Sequence, residues 1–376
     1  MNILNFIWTN GLSFLFILTV IVFIHELGHY LVARYNGVRI EVFSIGFGPE
    51  LFGWNDKAGT RWKLSLLPLG GYVKMFGERG ASGKADEPAM TPDEMAVSFH
   101  HKTLRQRAAI VAAGPVANFI LAIAILSTMF LTVGEPFTPP DVGSVQPGSA
   151  AEKAGIVPGD VITRIDGSSI SRFEDVQQIV RMSPRLPLRL SVLRDGQELA
   201  ITVVPEPSEL VDRFGNKHEI GLLGVSRIGN AYRRHNPFTA VWRAVDQTFS
   251  LSYFTLQAVG QMITGARSAD DLGGPIRIAQ MSGQVAESSL VDVFWFLAVL
   301  SINLGLINLF PVPMLDGGHL MFYGVEAIRG RPLSDRIVEY GFRVGLGLVL
   351  SLFVFVTYQD LMRFDGLVAF FKGFIT

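Results

Sequence analysis

The residues most able to do chemistry lie together in His25-Glu26-Leu27-Gly28-His29. On a helix, positions i and i+4 share a face, so both imidazoles can point at one ion. Glu26 is then placed to take a proton from a water on that ion. Zinc lowers the pKa of such a water towards ~7 and supplies a nucleophile at neutral pH. In a soluble helix the same five residues could be a chance match. Here they close an apolar run, where ionisable groups are costly and need a common purpose.

Two histidines leave a catalytic zinc short, because such sites usually have three protein ligands and one open position. The chain contains no cysteine, which excludes disulfides, thiolate ligands and cysteine nucleophiles. Asp316 is a candidate third ligand, in the stretch Asn308-Leu309-Phe310-Pro311-Val312-Pro313-Met314-Leu315-Asp316-Gly317-Gly318. It follows another apolar run, and its two prolines break a helix at membrane depth. Broken backbone is tolerated there only where it is buried in protein or lines a cavity. Elsewhere an isolated Asp-Gly would be a turn. His319, His100 and His101 are rivals. The paired glycines can aim His319 away, and His100-His101 reads as solvated surface.

The elements that must position these groups are membrane spans. The chain is 49% hydrophobic and 17% charged, against roughly 25% charged in a typical soluble domain. Met1–Ile24, Ala108–Gly134 and Val293–Leu315 carry no charged side chain. Each exceeds the ~20 residues that cross a bilayer as a helix. Val344–Gln359 is shorter, and spans if Arg343 and Asp360 snorkel. The first run reads as a retained span, since it lacks the basic start and small-residue cleavage site of a signal peptide. Net charge is −1, which gives no basic field for nucleic acid.

Basic residues crowd the segment between the first two runs, from Arg34 to Arg107, and return at Arg329, Arg331, Arg336 and Arg343. These loops are expected to be cytoplasmic, with the N-terminus and the segment after the second run outside. In that outward segment, Asp141–Gln146 and Asp160–Asp166 read as strands around a small helix at Ser149–Gly155. A second helix is expected at Arg172–Arg181. Leu186–Arg194 and Glu198–Val204 form a hairpin turning at Asp195-Gly196.

Pro237–Ala266 is expected to be an amphipathic helix on the membrane surface. The reason is parity: if it crossed, Asp316 would emerge on the face opposite His25 and His29. Gly77–Pro92 reads as a polar loop. Trp62–Leu67 and Gly70–Met75 are strand-like. Peptide hydrolysis needs an extended substrate, and a strand edge near the metal could pair with one. An ordinary cytoplasmic hairpin is the plainer alternative.

At these residues the chain resembles the site-2 protease family of intramembrane zinc metalloproteases, closest to the bacterial regulator of sigma-E protease group. The shared segments are HELGH at 25–29, Gly46-Phe47-Gly48-Pro49, Leu67–Val73, Ala113-Gly114-Pro115 with Asn118, Gly273-Gly274-Pro275-Ile276 and NLFPVPMLDGG at 308–318. The resemblance implies Zn2+ on His25, His29 and Asp316, with Glu26 as catalytic base. It implies substrate contacts at Asn308, and the same role is expected of Pro311, Pro313, Gly70, Gly71 and Tyr72. Val145–Ala151, Ala154-Gly155-Ile156 and Pro158–Ile162 resemble a PDZ domain. The best-known enterobacterial members carry two in tandem; one is placed here.

The expected fold is a polytopic α-helical membrane protein of four transmembrane helices, with a membrane-associated β-hairpin and an inserted α+β PDZ domain. Residues 1–134 hold the first two helices, 135–205 the PDZ domain, 206–289 a periplasmic linker with amphipathic helices, and 290–376 the last two helices. The expected location is the bacterial inner membrane, with the N-terminus and PDZ domain periplasmic and the site near the cytoplasmic side. The expected substrates are single-span membrane proteins, such as trimmed anti-sigma factors or signal-peptide remnants. A membrane-anchored PDZ adaptor would have no use for Glu26. A metal transporter would want polar residues in several spans, and the second and fourth carry almost none.

Overall fold

A computed structural model describes residues 10–77, 90–211, 217–227, 231–265 and 273–362. The chain divides into two units. One comprises Met1–Thr128, Val241–Gly260 and Ser268–Thr376; the other comprises Met129–Ala240 and Gln261–Arg267.

In the first unit, helix α1 spans Leu12–Tyr35, so the histidine motif lies inside a continuous helix that runs on beyond it. Asn36 ends the helix: its backbone N–H and its side-chain amide both return to the Val32 carbonyl, at 3.1 and 2.8 Å. Strands β1 (Ile40–Asn55) and β2 (Arg61–Met75) follow and pair antiparallel. The two short strand segments expected from sequence are one strand, and its partner β1 is an addition to that expectation. Each strand is used twice. Val42–Ile45 faces Lys74–Gly71 on one side and Arg61–Leu64 on the other, while Glu50–Asn55 returns along Ser65–Arg61. Gly71–Met75 is thereby left at an edge of a small sheet. Gly46 and Gly70, at φ 87° and 115°, turn the strands between partners.

Asp56 anchors this sheet. Its carboxylate accepts the Tyr30 hydroxyl at 3.0 Å, the Trp62 indole N–H at 3.1 Å, and the backbone N–H groups of Ala58 and Thr60. Burial pushes its pKa up, but these hydrogen bonds outweigh burial and hold it below the usual carboxylate range. Phe47, Leu51, Phe52, Leu66, Leu67 and Leu69 form an exposed apolar surface on the sheet. Residues 78–89 of the expected polar loop lie outside the described residues. A short helix α2 (Pro92–Val97) starts in a Thr91–Glu94 capping box. Helix α3 (Leu104–Thr132) contains Pro115.

The second unit contains β3 (Glu135–Phe137), β4 (Val142–Val145), α4 (Ala150–Lys153), β5 (Val161–Ile165), β6 (Ser168–Ser169), α5 (Phe173–Arg181), β7 (Leu188–Arg194) and β8 (Gln197–Val203). The expected strands, helices and hairpin all form, to within about two residues. Asp195 and Gly196, both at positive φ, make the hairpin turn. The sheet order is β6-β5-β7-β8. Val142, Ile162, Ile165, Val176, Leu190 and Val192 lie in its core.

Four strands beyond residue 205 add to the expected elements: β9 (Glu206–Val211), β10 (Lys217–Leu222), β11 (Val225–Arg227) and β12 (Ala231–Arg233). β11 pairs with β4, and β12 with β3. At the latter, His235 Nε2 meets Glu135 Oε2 at 2.8 Å.

The chain continues with α6 (Pro237–Ile263), α7 (Pro275–Ser288), α8 (Leu290–Asn308), α9 (Asp316–Arg329) and α10 (Asp335–Met362). Among the described residues, α1, α3, α8 and most of α10 are long and apolar enough to cross a membrane; α6 does not qualify. α6 forms where a helix is expected. It buries Ala244 and Thr248 and exposes Trp242, Phe249, Tyr253 and Phe254, and Thr255 donates to Asn303 of α8 at 3.1 Å.

Two expected boundaries are corrected. The third apolar run ends its helix at Asn308, and the two prolines form a loop before α9 begins at Asp316. The fourth helix begins well before Val344, where Arg343 and Glu339 pair at 2.6 Å one turn apart. At its far end Asp360 is 4% exposed and accepts three N–H groups at the start of α7, from Gly274, Ile276 and Arg277, at 3.0–3.1 Å. This carboxylate cap satisfies donors that a helix start leaves open.

Candidate metal centre

His25 and His29 sit one turn apart on α1, and Asp316 opens α9. Their facing atoms converge. His25 Nε2 lies 3.2 Å from His29 Nε2, and Asp316 Oδ2 lies 3.1 and 3.5 Å from the two. The three donor atoms all fall within 4.8 Å of one another, close enough to hold one metal ion. Both histidines are buried, and the Asp316 side chain is 17% exposed.

Close helix packing makes room for the rings. Gly28 stands against the Ala113 carbonyl and Ala117 Cβ, which brings α1 onto α3 one residue before His29. A Cβ at Gly114 would overlap His29 Nε2 and lie 2.8 Å from His25 Cε1. Pro115 interrupts the α3 hydrogen-bond ladder beside this point. The Ile110 carbonyl accepts from His29 Nδ1 at 2.9 Å, so the His29 proton sits on Nδ1 and its Nε2 lone pair faces inward. The remote nitrogen of His25 faces the Asn118 amide at 3.2 Å.

Asp316 Oδ2 is buried and has no partner among the described residues other than the two imidazoles it faces. If His25, like His29, gives its Nε2 lone pair to this point, three lone pairs meet there with no proton between them. That arrangement is repulsive unless a cation occupies it. Two imidazoles and one carboxylate form the donor set of an open catalytic zinc site. The residues present therefore fit zinc.

A cleft of about 350 Å³ opens beside the three donors. Its lining includes Glu26, Gly70, Gly71, Tyr72, Asn308 and His319. Glu26 lies against the β2 edge at Gly71. Gly71 allows this contact, since a Cβ there would lie 3.2 Å from Glu26 Cγ. Tyr72 stacks on Phe47 with centroids 6.0 Å apart.

Most residues singled out in the sequence meet here, but not all. Pro311 and Pro313 do not line the cleft; the Pro313 carbonyl packs against Gly345 of α10. His319 borders the cleft outside the three-donor group and stacks near Phe342, 5.1 Å between centroids. His100 and His101 are exposed. Sequence reasoning missed the roles of Gly71, Gly114 and the Ile110 carbonyl. The available signal was Ala113-Gly114-Pro115, small residues and a proline inside an uncharged run.

The model of peptidase family M50 matches residues 13–352. A protein of Rhizobium meliloti named as a zinc metalloprotease is 48% identical over 356 residues, covering 93% of this chain and 95% of that protein. A similarly named protein of Agrobacterium fabrum is 46% identical over 360 residues, 94% of this chain and 96% of its own. Metalloprotease MmpA of Caulobacter vibrioides is 36% identical over 379 residues, 94% and 95% respectively. Together with the apolar helices and the donor set, these matches place the chain in peptidase family M50, the site-2 protease family, as a membrane-embedded zinc metalloprotease.

Proposed function

We propose that this protein hydrolyses peptide bonds in or near the transmembrane segments of single-span membrane proteins. In this reading His25, His29 and Asp316 hold zinc and Glu26 is the catalytic base. The observation that carries it is the convergence of His25 Nε2, His29 Nε2 and the buried Asp316 Oδ2 on one point, with Glu26 lining the same cleft. Bound zinc supplies an acidified water and polarises the scissile carbonyl. Glu26 takes the proton of the attacking water, and can pass it to the leaving nitrogen. The β2 edge packed beside Glu26 limits where its carboxylate can move in both steps.

Gly70, Gly71 and Tyr72 present the β2 edge to the substrate, and Asn308 offers an amide to its backbone. Pro311 and Pro313 act through the loop that sets Asp316. The substrate must be extended at the cut, and a strand edge replaces the hydrogen bonds that an opened helix loses.

The topology has α1, α3, α8 and α10 crossing and α6 lying on the outer face. Two contacts support it. Arg107, at the start of α3, pairs with Glu326 after α8, on the expected cytoplasmic side. Asp360, at the end of α10, caps α7 before α8, on the expected outer side. The first needs an even number of crossings between Arg107 and Glu326, met by α3 and α8 with α6 uncounted; the second needs an even number between α7 and Asp360, met by α8 and α10. The location is the bacterial inner membrane, with residues 135–205, read as a PDZ domain, periplasmic. It selects substrates by their outward portion, such as trimmed anti-sigma factors or signal-peptide remnants.

The test uses purified full-length protein and a single-span model substrate. Wild type is expected to carry one zinc and cut within or beside the span. Glu26→Gln should keep zinc while cleavage falls about 10²–10⁴-fold; Asp316→Ala should lose the metal. Near-normal turnover by Glu26→Gln would remove Glu26 from the mechanism, and full zinc in Asp316→Ala would remove the third ligand.

A further inference from the structure

We propose that Asn118 is a positioning residue for His25: its side-chain oxygen accepts the His25 Nδ1–H and thereby turns the Nε2 lone pair towards the zinc. The inference rests on the reading of His25 as a ligand, but not on any choice of substrate.

Asn118 is fully buried, on α3. Its amide nitrogen stands 3.2 Å from His25 Nδ1, while its Oδ1 is buried without a hydrogen-bond partner. The two ends of an amide have the same shape, so this orientation is set by the hydrogen-bond logic around it. That logic favours the other end. His25 Nε2 is aimed at Asp316 Oδ2 and His29 Nε2. A nitrogen that ligates a metal gives up its proton, so the proton of a neutral ring must sit on Nδ1. Nδ1 then needs an acceptor, and an amide nitrogen cannot accept. Turning the amide over puts Oδ1 there and removes the mismatch.

His29 shows the same arrangement. Its Nδ1 donates to the Ile110 carbonyl of α3. Both rings would then be held from one helix by carbonyl oxygens, two turns apart. Asn118 is itself buttressed. Ser301 of α8 donates to its backbone carbonyl at 2.8 Å, and Gly305 lets α8 approach, a Cβ there lying 3.3 Å from Asn118 Cβ. Partners of this kind fix ring orientation and tautomer, and losing one typically costs 10- to 100-fold in metal affinity.

The experiment measures zinc affinity by chelator competition, and thermal unfolding of the metal-free protein, for wild type, His25→Ala, Asn118→Leu and Asn118→Asp. Leu keeps the bulk and removes both polar ends; Asp keeps an acceptor and removes the N–H donor. Asn118→Leu is expected to bind zinc roughly 10- to 100-fold more weakly. Asn118→Asp should stay within about threefold of wild type. Zinc affinity at the wild-type level in Asn118→Leu overturns the proposal. So does a loss in Asn118→Asp as large as in His25→Ala, which would mean that the N–H is the working end. Should Asn118→Leu fail to fold, Asn118→Asp decides alone. Unchanged zinc affinity in His25→Ala would instead strike out the ligand assignment itself.

Discussion

Arg107 Nη2 stands 2.7 Å from Glu326 Oε1, and both side chains are largely buried. The pair joins the first turn of α3 to α9, the helix that begins with Asp316. The Arg107 guanidinium also lies 4.9 Å from the Tyr323 ring centroid. α3 carries the contacts to His29 and His25, so this ion pair ties the two sides of the metal centre together. Arg107→Ala leaves a buried carboxylate without its partner. The expected loss is about 3 kcal/mol, the scale for breaking such a pair. Arg107→Glu with Glu326→Arg should recover part of it. Thermal unfolding of the three proteins checks this; equal stability of wild type and Arg107→Ala would make the pair incidental.

Gly114 is the smallest change that should empty the site. An added methyl group overlaps His29 Nε2, the nitrogen proposed to bind zinc, and crowds His25. Gly114→Ala is expected to weaken zinc binding at least tenfold, on the scale of losing a supporting contact, even though Ala favours a helix by about 1 kcal/mol over Gly. Gly347→Ala in α10 is the control, since no atom lies within 4 Å of its added Cβ. It should leave zinc unchanged and raise stability slightly. Zinc titration of both variants separates the clash from the helix effect.

The second unit has its own acid sensitivity. Asp160 is fully buried; burial raises its pKa, but two hydrogen bonds from Arg194 and one from the Val157 N–H outweigh burial and hold it below the ordinary carboxylate value. A carboxylate depressed in the folded state contributes stability above its unfolded pKa, near 3.9, and loses it as pH falls through the folded value. Unfolding of this unit should therefore be pH-independent in this respect above about pH 5 and steepen below pH 4. Asp160→Asn should be less stable at neutral pH and show a flatter acid limb. An unchanged acid limb would assign the sensitivity to other groups.

The β2 edge makes a kinetic prediction. A transmembrane helix opened in lipid exposes backbone groups at several kcal/mol each. A proline at Tyr72 removes a backbone N–H from the strand beside the cleft, while touching no metal ligand. Cleavage should slow with zinc content unchanged, and slow most for substrates with strong helices at the cut. Substrates with Gly or Pro there should be affected least. Equal rates across a graded substrate series would mean that the sheet is only a support.

The chemistry is legible because His25, Glu26, His29 and Asp316 are ionisable groups at the ends of uncharged runs, where a charge without a partner is too costly to be incidental. The sheet is half legible. β2 shows in Trp62–Leu67 and Gly70–Met75, but β1 does not, because Ile40–Asn55 is apolar on both faces at its tip and carries glycines and a proline. The fourth helix reads too short in the sequence because Arg336, Glu339 and Arg343 look like a boundary, whereas Glu339 and Arg343 sit on exposed turns and pair along the helix. The third reads too long because Phe310–Leu315 stays apolar after the helix has ended. Of the strands after residue 205, β11 and β12 join β4 and β3 from far along the chain, and no local pattern announces such pairings.

The cap on α7 has a consequence for assembly. Gly274, Ile276 and Arg277 are made long before Asp360, which lies at the far end of α10. Until α10 is made and packed, the start of α7 lacks the carboxylate that satisfies its three N–H groups. The order of synthesis thus becomes an order of closure. The three residues proposed to hold zinc are all present once Asp316 has emerged, yet this cap waits for one of the last described side chains. A chain halted before residue 360 would hold His25, Glu26, His29 and Asp316 and still lack that clasp.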